Sequence, residues 1–275
     1  MKNEKPSRTY TKKNSGEKYV LGLGCSLTNP EFVPIEQNRH PEDGSYEFPK
    51  WTEIVAKHLN LGWEVWAENG TSNEKIFNRA VKYLATDADN IELLCVAWTD
   101  WERFAIWGKN FNLYNANSNQ SHHANYHEIR STYEILVKEM CVEDSHNLTR
   151  MIRQNLEYVY TLQELCKSLN VKFIFFTSVS DVFGIESYKT VTSELGYTPI
   201  NEKKFLDMII NEDMTFMIDA KHYIDFPKFK KLIGGKETIL EEKEFFVIDG
   251  HANEFGHEVF AKSVIRRYEK IYGRK

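Results

Sequence analysis

The chain has 275 residues, of which 41% are hydrophobic and 27% charged, and its net charge is -5 at neutral pH. That length holds one large domain with a full core or two small ones, of which one with insertions is favoured, and that balance is the one of a soluble globular protein. The negative charge speaks against a general nucleic-acid surface, and no run of about eighteen apolar residues is present to span a membrane.

The four cysteines, Cys25, Cys95, Cys141 and Cys166, are scattered. They form neither a disulfide frame nor a zinc spacing, and three lie in or beside apolar segments, as small reduced hydrophobes do. Aromatic residues make up 13% of the chain, which suits sugar-stacking surfaces and a heavy core equally. Residues 1–18 are rich in lysine and lack the apolar run of a signal peptide, so they read as a flexible polar tail before a single domain over 19–275.

Tyr19 to Gly24 is a short apolar run ending in small residues, the pattern of a strand covered on both faces that empties into a tight turn. Ser26 stands just past its tip. The spacing Gly22-x-Gly24 continues to Leu27, where a dinucleotide fingerprint needs a third glycine, and no Lys-Ser or Lys-Thr pair comes after it for a phosphate loop. A nucleotide-binding domain is therefore the weaker reading. Asn29 to Glu47 is polar and proline-bearing, a surface loop near the mouth of any site.

Phe48, Trp51, Ile54, Val55, His58 and Leu59 recur at helical spacing, with Gly62 past the end as the expected stop. Trp63 to Glu68 predicts a second strand that runs into Asn69-Gly70-Thr71-Ser72-Asn73. Ile76, Phe77, Ala80, Val81 and Leu84 form the buried stripe of the next helix, with Ser72 as its cap. Leu93 to Trp98 is a third strand, tipped by Thr99-Asp100-Trp101-Glu102-Arg103. An insertion of about 108–145 breaks the rhythm. A long helix then carries Leu148, Met151, Ile152, Leu156, Val159, Leu162, Leu165 and Leu169, succeeded by a strand over Val171 to Thr177.

A second insertion of about 181–242 includes a helix over Glu202 to Asn211 and is long enough for a lid or small lobe. Phe245 to Asp249 reads as the last strand, and Phe255, Val259, Phe260, Val264, Tyr268 and Ile271 as the stripe of a closing helix. Such β-α alternation predicts a parallel sheet with helices on both faces and right-handed crossovers.

The polar tips of such strands gather at one edge: Ser26, Gly70 to Asn73, Thr99 to Arg103, and Asp249 to His251. Serine hydrolysis needs a base beside the hydroxyl, a carboxylate to orient that base, and donors aimed at the oxyanion. His251 is the candidate base, with His257 in reserve, and Asp249 is its orienting partner. The N–H groups of Ser26 and Gly70 are candidate oxyanion donors. Bland readings stand beside these: Ser26 as a turn residue, Gly70 and Ser72 as helix-start chemistry, His251 as a residue preceding a cap. Arg103, beside Trp101 and Trp107, either clamps a substrate or lies solvated over the aromatics. His122, His123 and His127 sit in a polar insertion without an obvious carboxylate ligand in register, and Lys228, Lys230 and Lys231 read as a solvated face.

Gly24-Cys25-Ser26-Leu27-Thr28, Asn69-Gly70-Thr71-Ser72-Asn73 and Asp249-Gly250-His251-Ala252-Asn253-Glu254-Phe255-Gly256-His257 resemble, in order and spacing, the blocks of the SGNH (GDSL-like) hydrolases. The version here looks most like divergent members encoded by tailed phages. The resemblance implies a flavodoxin-like three-layer α/β/α fold and serine-dependent ester hydrolysis, often of acyl groups on carbohydrates or lipids. It implies Ser26, Asp249 and His251 as catalytic residues, Ser26, Gly70 and Thr99 at the oxyanion, and Asn73, Asp100 and Arg103 toward the substrate.

Three departures are visible. Cys25 replaces the acidic neighbour of the serine, Thr99 replaces the amide of the third block, and Asp249-x-His251 is one residue shorter than usual. A small-molecule or glycan ester is the expected substrate, with no metal or organic cofactor, no nucleic acid and no membrane partner, and the oligomeric state is left open. A cytoplasmic (host-cell) or virion-associated location is expected. The runner-up is a catalytically degraded member of the same fold that serves as a binding or virion module.

Overall fold

The computed structural model describes residues 9–13, 16–32, 48–99, 101, 104–107, 113–116, 146–177, 202–224 and 252–273. Strands β1 (Thr9–Lys12), β2 (Tyr19–Gly24), β3 (Gly62–Ala67), β4 (Ile91–Trp98), β7 (Lys172–Thr177) and β8 (Tyr223–Ile224) form one sheet in the order β1-β3-β2-β4-β7-β8. All neighbours are parallel except β1, which runs antiparallel to β3 at the edge. Counting the parallel strands alone, the order is that of the flavodoxin type. A separate hairpin pairs β5 (Phe104–Trp107) with β6 (Leu113–Ala116), where the first predicted insertion begins.

Strand alternation divides the core in two. Val20, Leu93, Cys95 and Phe176 point to the face covered by α1 (Trp51–Leu59) and α5 (Glu254–Tyr272), where they meet Trp51, Val55, Phe260 and Val264. Leu21, Leu23, Leu94 and Val96 point the other way, onto α2 (Asn73–Asp87) and α3 (His146–Ser168) through Ile76, Ala80, Leu156 and Val159. The fold is therefore the expected α/β/α sandwich. At Gly22 an added Cβ would lie 2.5 Å from Thr52 Oγ1, so α1 seats directly against β2 because that position has no side chain.

The structure corrects several boundaries. The segment expected as a free tail forms β1 over Thr9–Lys12, because charge pins the lysine at its end. Lys13 Nζ lies 2.9 Å from Glu64 and 3.1 Å from Asp87, and 3.3 Å from the Tyr19 ring centroid, while the Tyr19 hydroxyl donates to Asp87 at 2.8 Å. Helix α1 stops at Asn60, which takes the left-handed conformation (φ 56°), and Gly62 instead begins β3. Leu169 lies past the end of α3 and is 41% exposed, outside the stripe. The second insertion contains α4 (Glu202–Asn211), as expected, and also supplies the edge strand β8. The strand expected over Phe245 to Asp249 lies outside the described residues, as do most of both insertions and Cys141. Cys25, Cys95 and Cys166 are buried and in no disulfide among the described residues.

Burial works to raise the Asp87 carboxyl, yet hydrogen bonds from Asn90, Tyr19 and Lys13 outweigh it and hold the group below its ordinary 3.8. A depressed carboxylate stabilises the fold above its unfolded value and stops doing so as pH falls through the folded one. Asp87→Ala should lower the unfolding free energy at pH 7 by about 1–2 kcal/mol. In urea titrations the gap to wild type should close as the pH is taken below about 4; a gap that stays constant with pH contradicts this role.

Candidate active site

Strand β2 continues through α1 to β3 on one side, and β3 continues through α2 to β4 on the other. The crevice outside the carboxyl end of β2 is thus the topological switch point, where open α/β sheets bind ligands. There the chain turns sharply: Thr28 N–H donates to the Cys25 carbonyl at 2.9 Å and Asn29 N–H to the same oxygen at 3.1 Å. Gly24 permits the turn, since a Cβ on it would lie 2.2 Å from Thr28 Oγ1.

Of residues 25–28, Cys25, Leu27 and Thr28 are buried, and Ser26 is partly exposed. Cys25 packs into the apolar layer beneath α1 and α5, where a carboxylate would be desolvated, which accounts for the missing acidic neighbour. Ser26 lines a cleft with Leu27, Asn29, Phe32, Lys50, Ala252 and His257.

Gly70 comes after β3 in the left-handed conformation (φ 70°), and its N–H meets no acceptor among the described residues. Ser72 caps α2 as expected, accepting from Lys75 N–H at 3.5 Å. Asn73 is placed otherwise than expected. Its Oδ1 accepts the Thr99 N–H at 2.8 Å, and its Nδ2 donates to the Thr99 carbonyl at 3.0 Å and to Asn155 Oδ1 at 2.8 Å. Asn155 Nδ2 in turn donates to the carbonyls of Met151 at 2.9 Å and Trp101 at 3.3 Å. The side chains of Asn73, Thr99 and Asn155 are all buried. Backbone groups at a buried strand end must be paired, and Asn73 pairs those of Thr99, so it fixes the β4 tip instead of facing a substrate. Asn155 does not stand out among the strand-tip motifs; its signal is an amide inside the apolar stripe Met151, Ile152, Leu156 and Val159.

The Thr99 hydroxyl is fully buried with no hydrogen-bond partner among the described residues, and so are those of Thr28 and Thr71. The three strand tips around Ser26 each hold such a hydroxyl. Trp101 belongs to the core, so the aromatic richness goes in large part to packing.

His257 is 3% exposed, and its Nδ1 accepts the Trp51 N–H at 3.4 Å. A neutral ring that accepts at Nδ1 carries its proton on Nε2, which makes His257 a tie between α5 and α1 rather than the base. Asp100, Arg103, Asp249 and His251 lie outside the described residues, as do His122, His123, His127, Lys228, Lys230 and Lys231 of the insertions. The chain re-enters at Ala252, which lines the cleft, and Asn253 then caps α5 by accepting from Gly256 N–H at 2.9 Å.

Lys50 is a further residue of the cleft that the strand-tip motifs do not include. It is the N-cap of α1, it is 5% exposed, and its Nζ lies 3.7 Å from the Phe48 ring centroid. Burial pushes its ammonium down to about 8. The available signal is a lysine where a helix start favours Ser, Thr, Asp or Asn. Among the described residues no cluster of His, Cys, Asp or Glu is arranged to hold a metal, and no helix is long and apolar enough to cross a membrane.

No protein-family model matches the sequence, and no curated protein does. Among solved structures the chain is similar to an acetylxylan esterase from Geobacillus stearothermophilus, at 12% identity over 91% of this chain and 93% of that one, with a TM-score of 0.37. It is similar to an acetyl xylan esterase from the rumen bacterium Butyrivibrio proteoclasticus, at 11% identity over 93% and 64% of the two chains, with a TM-score of 0.44. A family two carbohydrate esterase from Clostridium thermocellum gives 10% identity over 94% and 64%, with a TM-score of 0.45.

Removing the Asn73 amide would leave the Thr99 N–H and carbonyl buried and unpaired. Asn73→Ala should therefore lower the unfolding free energy by about 2–3 kcal/mol in chemical denaturation. A loss below about 0.5 kcal/mol, the usual scale of a surface change, would remove Asn73 from this structural role.

Proposed function

We propose that this protein is a serine hydrolase of esters, with Ser26 as nucleophile, His251 as base and Asp249 as the carboxylate that orients it. The observation that carries this reading is the placement of Ser26: the one partly exposed residue of a buried turn, at the switch point, in a cleft that Ala252 also lines. Ala252 is the next residue after His251, which supports a base at the same cleft.

In this reading Ser26 Oγ attacks the ester carbonyl while His251 takes its proton. The tetrahedral intermediate collapses as His251 returns that proton to the leaving alcohol, and water then releases the acid by the same steps in reverse order. The N–H groups of Ser26 and Gly70 receive the oxyanion, and the unpartnered Thr99 hydroxyl is the third donor. One such donor is worth roughly a hundredfold or more in rate. Asp100 and Arg103 come after Thr99 in the chain and are assigned to the alcohol portion of the substrate. The substrate class is an acyl or acetyl ester of a small alcohol or a sugar, and the group needs no metal or organic cofactor to react.

The reading is tested by turnover of 4-nitrophenyl acetate. Ser26→Ala and His251→Ala should each lower kcat by about a thousandfold or more, with KM and the melting temperature little changed. Wild-type turnover by Ser26→Ala would overturn the assignment. A folded wild type without activity on any ester would instead favour the degraded module, for which Thr99 in place of the amide and the short Asp249-x-His251 spacing are the relevant features.

A further inference from the structure

Lys50 stands where both a helix start and a buried cleft oppose its charge. The positive end of the helix dipole repels a cation, and burial strips it of water. Lys50 is nevertheless the buried N-cap of α1, with the Phe48 ring against its ammonium. No carboxylate pairs with it among the described residues. Lys13 and Lys75, which are also shielded, each have one. A methionine would fill the same space without these costs, so packing alone does not account for an amine here.

The amino end of α1 is partly open as well. His257 Nδ1 takes the Trp51 N–H, but the Lys50 side chain makes no cap, and the N–H groups of Thr52 and Glu53 meet no acceptor among the described residues. Lys50 shares its cleft with Ser26, and no acidic side chain lines that cleft among the described residues.

We propose that Lys50 and the open start of α1 receive an anionic oxygen group, a carboxylate or a phosphate, carried by the substrate beside Ser26. The proposal rests on the ester-hydrolase reading and narrows it: the preferred substrate is an acidic ester. An anion at this place gains a charge-assisted hydrogen bond from Nζ and the favourable field of the helix end, and it supplies the counter-charge that the lysine lacks. Burial without that counter-charge lowers the ammonium to about 8, at which Lys50 still carries its charge in neutral solution.

The test compares 4-nitrophenyl hemisuccinate with 4-nitrophenyl valerate, a neutral ester of similar length, after subtraction of the buffer rates. Wild type should favour the hemisuccinate in kcat/KM by about tenfold or more, a preference that Lys50→Arg keeps and Lys50→Met abolishes. An unchanged ratio in a folded Lys50→Met, or a wild-type preference for valerate, would overturn the proposal.

Calorimetric titration of Ser26→Ala with sodium succinate and with sodium phosphate reads the site without turnover. Binding of either anion that disappears in the Ser26→Ala, Lys50→Met double variant supports the site, and the anion that binds tells carboxylate from phosphate. If neither ester is hydrolysed but binding is seen, the hydrolase reading fails and the anion site stands. Absence of binding for both anions removes the site.

Discussion

Strand β2 is buried along its whole length and hydrogen-bonded on both edges, to β3 on one side and β4 on the other. A chain in that position reaches solvent only by leaving the sheet at its carboxyl end. It does so through a turn so tight that Gly24 cannot carry a side chain, and Cys25, Leu27 and Thr28 are drawn into the interior. Only Ser26 is left for the surface. Ser26 is thus held in place by the same packing that holds the sheet.

Around this point the neighbouring tips are fixed from within. Asn73 closes on the backbone of Thr99, and Asn155 joins that pair to Trp101 and to its own helix. One buried amide network therefore connects the start of α2, the end of β4 and the middle of α3. His257 plays a similar part on the opposite face, joining α5 to the start of α1. Side chains that sequence order places near the site serve here as its scaffold, and the cleft itself is lined from the β2 turn, the approach to α1 and the approach to α5.

The lysines show how far environment divides one residue type. Lys13 lies between two carboxylates over the Tyr19 ring at the amino edge of the sheet, and there it converts a polar segment into a strand. Lys172 is opposed by burial, but Glu92 and Tyr268 hold its ammonium above the ordinary value. Lys50, at the carboxyl edge, has burial without compensation. Among the described residues, Lys13 and Lys172 are paired with carboxylates and Lys50 is not.

The frame was legible in the sequence because β2, β4 and β7 are continuous apolar runs, and the stripes of α2, α3 and α5 keep helical spacing across several turns. Elements without that signal were not. β1 is polar and owes its place to backbone pairing and to Lys13, β8 has two residues, and α1 ends at an asparagine that local patterning does not distinguish from a loop residue. Within the site, Ser26 and Gly70 are visible as strand-end residues in a known order of blocks. The role of Asn73 depends on Asn155, 82 residues away, and Lys50 meets Ala252 and His257 only once the chain has folded. No local rule reports such distances. The most direct test of the central claim is intact-mass analysis after treatment with a fluorophosphonate serine probe, with peptide mapping of the product. One adduct per chain on the peptide containing Ser26 is expected; a folded protein that stays unlabelled, or carries its adduct on another residue, would contradict it.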